Sequence, residues 1–132
     1  MDWLRNLIGG GPPVDALGQR GENVAARYLR NRGYRIILRN FRCEVGEVDI
    51  IAKDGRTVVF VEVKTRTSED HATGEDQVHQ SKRHQLTKAA KFYLSRYGTP
   101  QPPARFDVIA IVWPHGRQPD IRHTTDAFEA TF

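Results

Sequence analysis

Four charged side chains interrupt two runs that otherwise suit burial. Glu47 and Asp49 stand in Gly46-Glu47-Val48-Asp49-Ile50-Ile51-Ala52, and Glu62 and Lys64 in Val58-Val59-Phe60-Val61-Glu62-Val63-Lys64-Thr65-Arg66. Carboxylates supply the hard oxygen ligands that Mg²⁺ and Mn²⁺ prefer. Such an ion provides a water nucleophile near neutral pH and steadies charge on a phosphodiester. Lys64, a compact cation two residues beyond Glu62, suits orienting or activating that water, or stabilising the transition state. Asp49, Glu62 and the backbone C=O of Val63 are therefore the candidate ligands. Glu47 is a candidate for a second ion or for orienting a bound water.

The hairpin between the runs sets how these groups meet. Asp54-Gly55 is a strong short-range turn signal, and the Val, Ile and Phe on either side favour strand. If Asp54-Gly55 is the two-residue loop, Lys53 pairs with Arg56, Asp49 lies opposite Phe60 and Glu47 opposite Glu62. Alternation along each strand then puts Glu47, Asp49, Glu62 and Lys64 on one face. Asp49 and Glu62 become diagonal neighbours at roughly 7–8 Å. A four-residue loop keeps this pairing, whereas a three-residue loop slips it by one and sends Asp49 to the other face. Clustered carboxylates destabilise a sheet; Lys64 offsets part of that and a divalent cation would offset the rest. The bland alternative is an ion-pair network on a solvated face, and the apolar setting of the charges weighs against it.

The elements around the hairpin must position it. A helix is expected over residues 16–32, with Asp15 as N-cap and Gly33 as its stop. Leu17, Gly21, Val24, Tyr28 and Arg32 give its period, widened by Ala25 and Leu29. Glu22, at the edge of this stripe, reads by itself as a boundary acid, but it reaches the carboxylate cluster if the helix crosses the strands. Gly18 and Gly21 weaken a helix and make sense where it approaches something closely. Residues 34–42 read as a strand leading into the hairpin, giving an antiparallel meander.

A second helix is expected over residues 81–97, with Leu86, Ala89, Ala90, Tyr93, Leu94 and Tyr97 on its apolar face. Its first turn carries Lys82, Arg83 and His84, the wrong sign for a helix N-terminus. Either tertiary contacts and solvent tolerate them, or they form an anion site for phosphate. Residues 105–113 are apolar on both faces, as in a central strand with a parallel neighbour. Asp107 is the exception and reads as a structural acid held by backbone or a basic neighbour. Residues 121–124 suit a short edge strand, with Ala127 and Phe128 docking on the core. The fold class is thus α/β, a mixed central sheet flanked by helices, with a parallel crossover through the second helix.

The chain has 132 residues and a net charge of +4, enough for one domain with a real core. Residues 15–132 are expected to form it, behind a peripheral arm over 1–14 that carries Trp3, Leu4, Leu7 and Ile8. Residues 67–77 read as a polar, solvated loop despite His71. One cysteine, Cys43, excludes an intrachain disulfide and a cysteine-based zinc site. With no spanning apolar run and no signal-peptide pattern, the expectation is a cytoplasmic protein that engages no membrane. The basic balance is compatible with a polyanionic partner.

Asp49 followed one strand later by Glu62-Val63-Lys64 resembles the PD-(D/E)XK nuclease signature, with Val48 in place of proline before the first acid. The expected order resembles that superfamily's restriction endonuclease-like αβββαβ core, and Glu22 matches the helix acid of many members, including Holliday junction resolvases. More narrowly, residues 16–128 resemble the YraN family. Gly21-Glu22 with Ala25, Asn40-Phe41-Arg42, the stretches 46–51 and 60–66, Lys82 with Ala89-Ala90, and 123–128 carry that likeness. The resemblance implies Asp49, Glu62 and Lys64 as catalytic residues with Glu22 behind them, and a Mg or Mn ion with no organic cofactor. It implies DNA as the partner, including branched or structured DNA, and a homodimer that cuts two strands. In the alternative, the nuclease fold is catalytically silent and docks nucleic acid or a protein through Lys82, Arg83 and Arg66.

Overall fold

The computed structural model describes residues 13–68 and 78–131, and the side chains from residue 16 onward. The expected arm, apart from its last two residues, and most of the 67–77 loop including His71, lie outside the described residues, as does the side chain of Asp15.

The order is α1 (Pro13–Asn31), β1 (Arg35–Cys43), β2 (Gly46–Asp54), β3 (Thr57–Arg66), α2 (Gln80–Leu94), β4 (Ala104–Val112) and β5 (Asp120–Phe128). Helix α1 begins at Pro13 rather than residue 16, since proline fits a first helical turn where no N–H partner is needed. It ends as expected at Gly33, whose φ is +90°. Tyr34 N–H donates to Leu29 C=O at 2.9 Å and Gly33 N–H to Arg30 C=O at 3.0 Å, the paired bonds of a Schellman ending. Helix α2 stops at Leu94, three residues short of expectation. There Ser95 Oγ donates to Phe92 C=O at 2.6 Å and Arg96 Nε to Tyr93 C=O at 3.0 Å, so side chains satisfy the last carbonyls.

The five strands form one sheet in sequence order; β3 and β4 run parallel and every other neighbouring pair antiparallel. This is the expected mixed sheet with a helical crossover. On one face, Leu86, Ala89, Ala90 and Tyr93 of α2 pack on Phe60, Val58, Ile51 and Phe106. On the other, Ala25, Ala26 and Leu29 of α1 pack on Val59, Val61, Ile50, Ile109 and Ile111. Burial of the two sheet faces accounts for the unbroken apolar run Val108–Val112 in β4.

Two expectations need correction. The hairpin loop is Gly55-Arg56, pairing Asp54 with Thr57 and Ile51 with Phe60. Gly55 has φ +61°, so the glycine is the first central residue rather than the second, as a II′ turn requires. The register therefore moves by two, an even step that keeps Asp49 and Glu62 on a common face. Strand β5 is also longer than 121–124, because Ala127 and Phe128 continue the ladder beyond an irregularity opposite Asp107 and Phe128 pairs with Phe106.

Candidate active site at the fork between two strands

The β2–β3 ladder ends at the pair Ile50 and Val61. One step further, the corrected register points Asp49 at Glu62. In place of the next backbone bond, Val63 N–H donates to Asp49 Oδ2 at 2.8 Å. The two strands fork here with a carboxylate in the opening.

The pleat breaks at the same place. Val48 and Ile50 are two apart on β2 yet pack on opposite faces, Val48 with the α2 cluster and Ile50 with the α1 cluster. Across on β1, Asn40 lies between Arg39, which pairs with Ile50, and Phe41, which pairs with Val48. Its φ is +55°, a left-handed conformation that asparagine tolerates better than most residues. The break turns Arg39 toward α1, where its Nη2 donates to Asn23 Oδ1 at 2.7 Å and lies 3.5 Å from Glu22 Oε1. Phe41 instead meets Tyr93 edge-on from the α2 side.

Close packing of both helices brings their side chains to the fork. A Cβ at Gly21 would collide with the Thr65 side chain, so α1 lies directly on β3 there. Among the described residues, nothing would lie within 4 Å of a Cβ at Gly18; of the two glycines, only Gly21 marks a close approach. At the other face, a Cβ on Gly46 would stand 2.6 Å from Gln85 Cγ and 3.0 Å from Gln85 C=O. That contact seats the first turns of α2 over β2 and β3.

Glu62 is 9% exposed. Burial pushes its pKa up to about 8, aided by the charge of Asp49 and a hydrogen bond between the two carboxyls; Lys82 and Lys64 pull it back. Lys82 Nζ is 3.7 Å from Glu62 Oε2. Burial also raises the Glu22 pKa, with Asp49 adding to it, and Arg39 and Asn40 opposing. The charge of Asp49 thus acts on Glu22 from the α1 side and on Glu62 from the α2 side, while Lys64 and Lys82 both act on Glu62.

Other candidates stand elsewhere. The Glu47 carboxylate is half exposed and pairs with Arg42 Nε at 3.5 Å; the pleat break at Asp49 removes the reason for Glu47 to share its face. Arg83 Nε donates to Val78 C=O at 2.7 Å and its guanidinium lies over the Phe128 ring, so it serves the fold. Arg66 sits at the end of β3, where its C=O accepts Trp113 N–H at 2.8 Å. Among the described residues, no three His, Cys, Asp or Glu side chains are gathered as a ready-made metal cage. The fork offers two facing carboxyls with a third nearby.

Sequence reasoning missed Asn40, Asn23 and Arg39 as the support for Glu22. The usable signal was an asparagine inside a strand, where a left-handed residue is one of few reasons for it. It also missed the assembly around Asp107, although it read that acid correctly as structural. Asp107 is fully buried. Its Oδ2 is 2.8 Å from His123 Nε2, and its Oδ1 accepts from Arg105 Nε and Asp126 N–H, each at 3.0 Å. An ionised Asp107 can only accept, so His123 Nε2 donates, and Nδ1 faces Tyr28 Oη at 3.1 Å. A separate cavity of about 480 Å³ lies between the later turns of α2 and β4–β5, lined by Phe60, Leu94, Phe106 and Phe128 among others, away from the carboxyls.

Residues 21–111 match the model of a family described as "Uncharacterised protein family UPF0102". A UPF0102 protein of Geobacter sulfurreducens is 51% identical over 116 residues, 88% of this chain and 91% of the relative. One from Geotalea uraniireducens is 48% identical over 117 residues, 89% and 92% of the two chains. One from Chlorobium phaeobacteroides is 46% identical over 119 residues, 86% and 94%. The matched region begins at Gly21-Glu22 and spans the whole fork. No helix among the described residues is long and apolar enough to cross a membrane.

Proposed function

The chain belongs to the UPF0102 family, and from that premise we propose that it is a Mg- or Mn-dependent endonuclease of the PD-(D/E)XK type, acting on DNA in the cytoplasm. The observation that carries this reading is a buried acid, Glu62, facing Asp49 at a strand fork with Lys64 and Lys82 acting on it. Acids are seldom buried together unless they share a proton or a cation. A strongly perturbed carboxyl with named charge partners is a functional-site signal.

The donor chemistry fits a hard divalent ion. Asp49 and Glu62 would hold it through carboxylate oxygens, with the Val63 C=O as a further oxygen and Glu22 behind them. When bound, the ion would lower the pKa of a water and offset charge on the phosphodiester. The rest falls to the chain. Val63 N–H fixes the Asp49 carboxylate. Lys82 draws Glu62 toward its ionised, ligating form. Lys64 would orient the attacking water or neutralise the phosphoryl oxygens.

The test is incubation with supercoiled, duplex and four-way DNA in Mg²⁺, Mn²⁺ or chelator, for the wild type, Asp49→Ala and Glu62→Ala. Cleavage that persists in both variants overturns the assignment. One observation favours a second reading: the Lys82 ammonium 3.7 Å from Glu62 already supplies the acid with a cation. Under that reading the fold binds nucleic acid without turnover, and Asp49→Ala binds as well as the wild type or better while nothing is cut.

A further inference from the structure

We propose that Phe92, flanked by Lys88 and Arg96 on the outer side of α2, is a stacking platform for an unpaired base of the DNA strand that enters the fork. This rests on the reading of the fork as a phosphodiester site, and it specifies the substrate as DNA with single-stranded nucleotides beside the bond to be cut. Phe92 is 55% exposed, the most exposed large apolar side chain among the described residues. One exposed apolar residue is ordinary; the setting of Phe92 is not.

The charge around it is of one sign. From Gln80 to Tyr97 the chain carries Lys82, Arg83, Lys88, Lys91 and Arg96 and no Asp or Glu. Lys88 and Arg96 stand one turn to either side of Phe92, so the three form a single exposed stripe. The stripe continues past the end of α2 because Ser95 keeps a helical backbone. Among the described residues neither Lys88 nor Arg96 has a carboxylate partner. Arg96 is held in place, with Nε donating to Tyr93 C=O at 3.0 Å and the guanidinium 4.0 Å above the Tyr93 ring. A stacked base brings a phosphate on each side, which matches a ring with a cation on each side; aromatic faces within a basic track hold single strands in this way.

The ring is steadied from beneath. The Phe41 centroid lies 6.3 Å from that of Phe92, with the rings at 36°, and Phe41 is itself buried and met edge-on by Tyr93. Phe41 also ties the platform to the fork, since it pairs with Val48, the residue before Asp49. Along α2, Phe92 stands ten residues beyond Lys82, which meets Glu62. That is roughly 15 Å of helix, the length of about four or five stacked nucleotides. A base on Phe92 and a phosphodiester at Asp49 and Glu62 therefore fit one short strand. The strand is unpaired at Phe92, because a base inside a duplex has no free face to stack.

The experiment is equilibrium binding of a labelled single-stranded DNA oligonucleotide and of its duplex by fluorescence anisotropy, in chelator, from about 50 to 300 mM salt. The full chain is compared with Phe92→Ala, Phe92→Leu, Phe92→Tyr, Lys88→Gln and, as a control on the opposite side of the sheet, Arg30→Gln. All three positions are exposed, and far-UV circular dichroism checks folding. Phe92→Ala should weaken single-strand binding about 5–100-fold, the scale for one stacked base, and leave the salt slope and duplex affinity unchanged. Phe92→Leu, which keeps the apolar bulk, should lose nearly as much, and Phe92→Tyr should bind as the wild type does. Lys88→Gln should lower the log–log slope on the single strand by about 0.7, one phosphate contact, and Arg30→Gln should change nothing. Unchanged single-strand affinity in Phe92→Ala or Phe92→Leu, an equal loss on duplex and single strand, or no binding by the wild type overturns the platform. So does a Phe92→Ala chain with half the wild-type mass by light scattering, which would mean that a second copy covers Phe92. Binding that follows the expected pattern without cleavage in any metal sinks the endonuclease reading and leaves the platform standing; metal-dependent cleavage of a duplex with a single-stranded tail, with Phe92→Ala binding normally, does the reverse.

Discussion

Val63 N–H donates to Asp49 Oδ2 at 2.8 Å at the point where the β2–β3 ladder stops. A backbone group that would ordinarily bond its neighbouring strand instead fixes a carboxylate, and that carboxylate faces the buried Glu62. The bond sets the position of Asp49, and Asp49 in turn adds to the burial that raises the pKa of Glu62, so one substitution separates the two effects.

Glu62 gives the protein a pH-dependent stability. Its pKa is about 8 in the folded chain against an ordinary value of 4.5. Between those values the folded chain holds a proton that the unfolded chain has released, so stability falls as pH rises from about 5 through 8, by on the order of a few kcal/mol at most. Asp49→Asn keeps an oxygen for Val63 N–H and removes the neighbouring charge, so it should flatten this dependence. Urea unfolding at pH 5.5, 7 and 8.5 reads the effect; an identical pH slope in wild type and Asp49→Asn contradicts it. Added Mn²⁺ should restore stability at pH 8.5 in the wild type and much less in Asp49→Asn.

The two lysines should separate kinetically under the proposed activity. Loss of Asp49 or Glu62 is expected to lower metal-dependent cleavage at least about 10²-fold, the scale for removing a group aimed at developing charge. Lys64→Ala should act on the chemical step to a similar degree. Lys82→Ala removes the cation 3.7 Å from Glu62, so Glu62 should hold its proton to higher pH and the alkaline pH needed for cleavage should rise. Single-turnover rates across pH 6–9.5 distinguish them: a Lys82→Ala profile parallel to wild type and merely lowered would mean that the lysine does not act through Glu62.

The relation of the charges was legible in the sequence for a definite reason. The Asp54-Gly55 turn was off by one position, but the error moved the register by two, and an even slip preserves faces. Asp49 and Glu62 therefore stayed neighbours and came closer than expected. Glu47 was lost from the group because the pleat breaks at Asp49, and strand periodicity alone carries no sign of that break. It depends on the left-handed Asn40 across on β1. The place of Lys82 at a helix N-terminus suits either a tolerated cation or a phosphate anchor; its meeting with Glu62 depends on the tertiary contact of Gln85 with Gly46, which no local pattern reveals. The fold class, the meander and the parallel crossover were readable because they rest on long apolar runs and on Gly33, features that local physics determines.

Gly18 and Gly21 give a direct test of helix packing against helix propensity. Each glycine in a helix costs roughly 1 kcal/mol relative to alanine. Among the described residues nothing would meet a Cβ at Gly18, so Gly18→Ala should stabilise by up to about 1 kcal/mol. At Gly21 the new methyl would meet the Thr65 side chain, pushing α1 off β3 at an overpacking cost of about 1–3 kcal/mol. The two substitutions should shift the denaturation midpoint in opposite directions. Stabilisation by Gly21→Ala would show that α1 yields at this contact, and Glu22 would then not be held at the fork by it.

Asp107 should be the most costly single acid to remove. Burial alone would raise its pKa, but the bonds from His123, Arg105 and the Asp126 N–H outweigh it, and the pKa is lowered. Its stabilisation is therefore present above the ordinary carboxylate range and is lost as pH falls through the lowered value. Removing the charge also strands what it holds: Arg105, which bonds Tyr34 Oη at 2.7 Å and Asp54 at 3.1 Å, and the backbone of β5 at Asp126, whose φ is +53°. Asp107→Asn is expected to cost about 3–5 kcal/mol, the scale for breaking a buried charge network. Hydrogen exchange should show the loss first in β5, because Asp107 anchors the irregular step between Thr124 and Phe128. A loss below about 1 kcal/mol, or exchange that rises uniformly over the sheet, would show that the strand is held by its ladder alone.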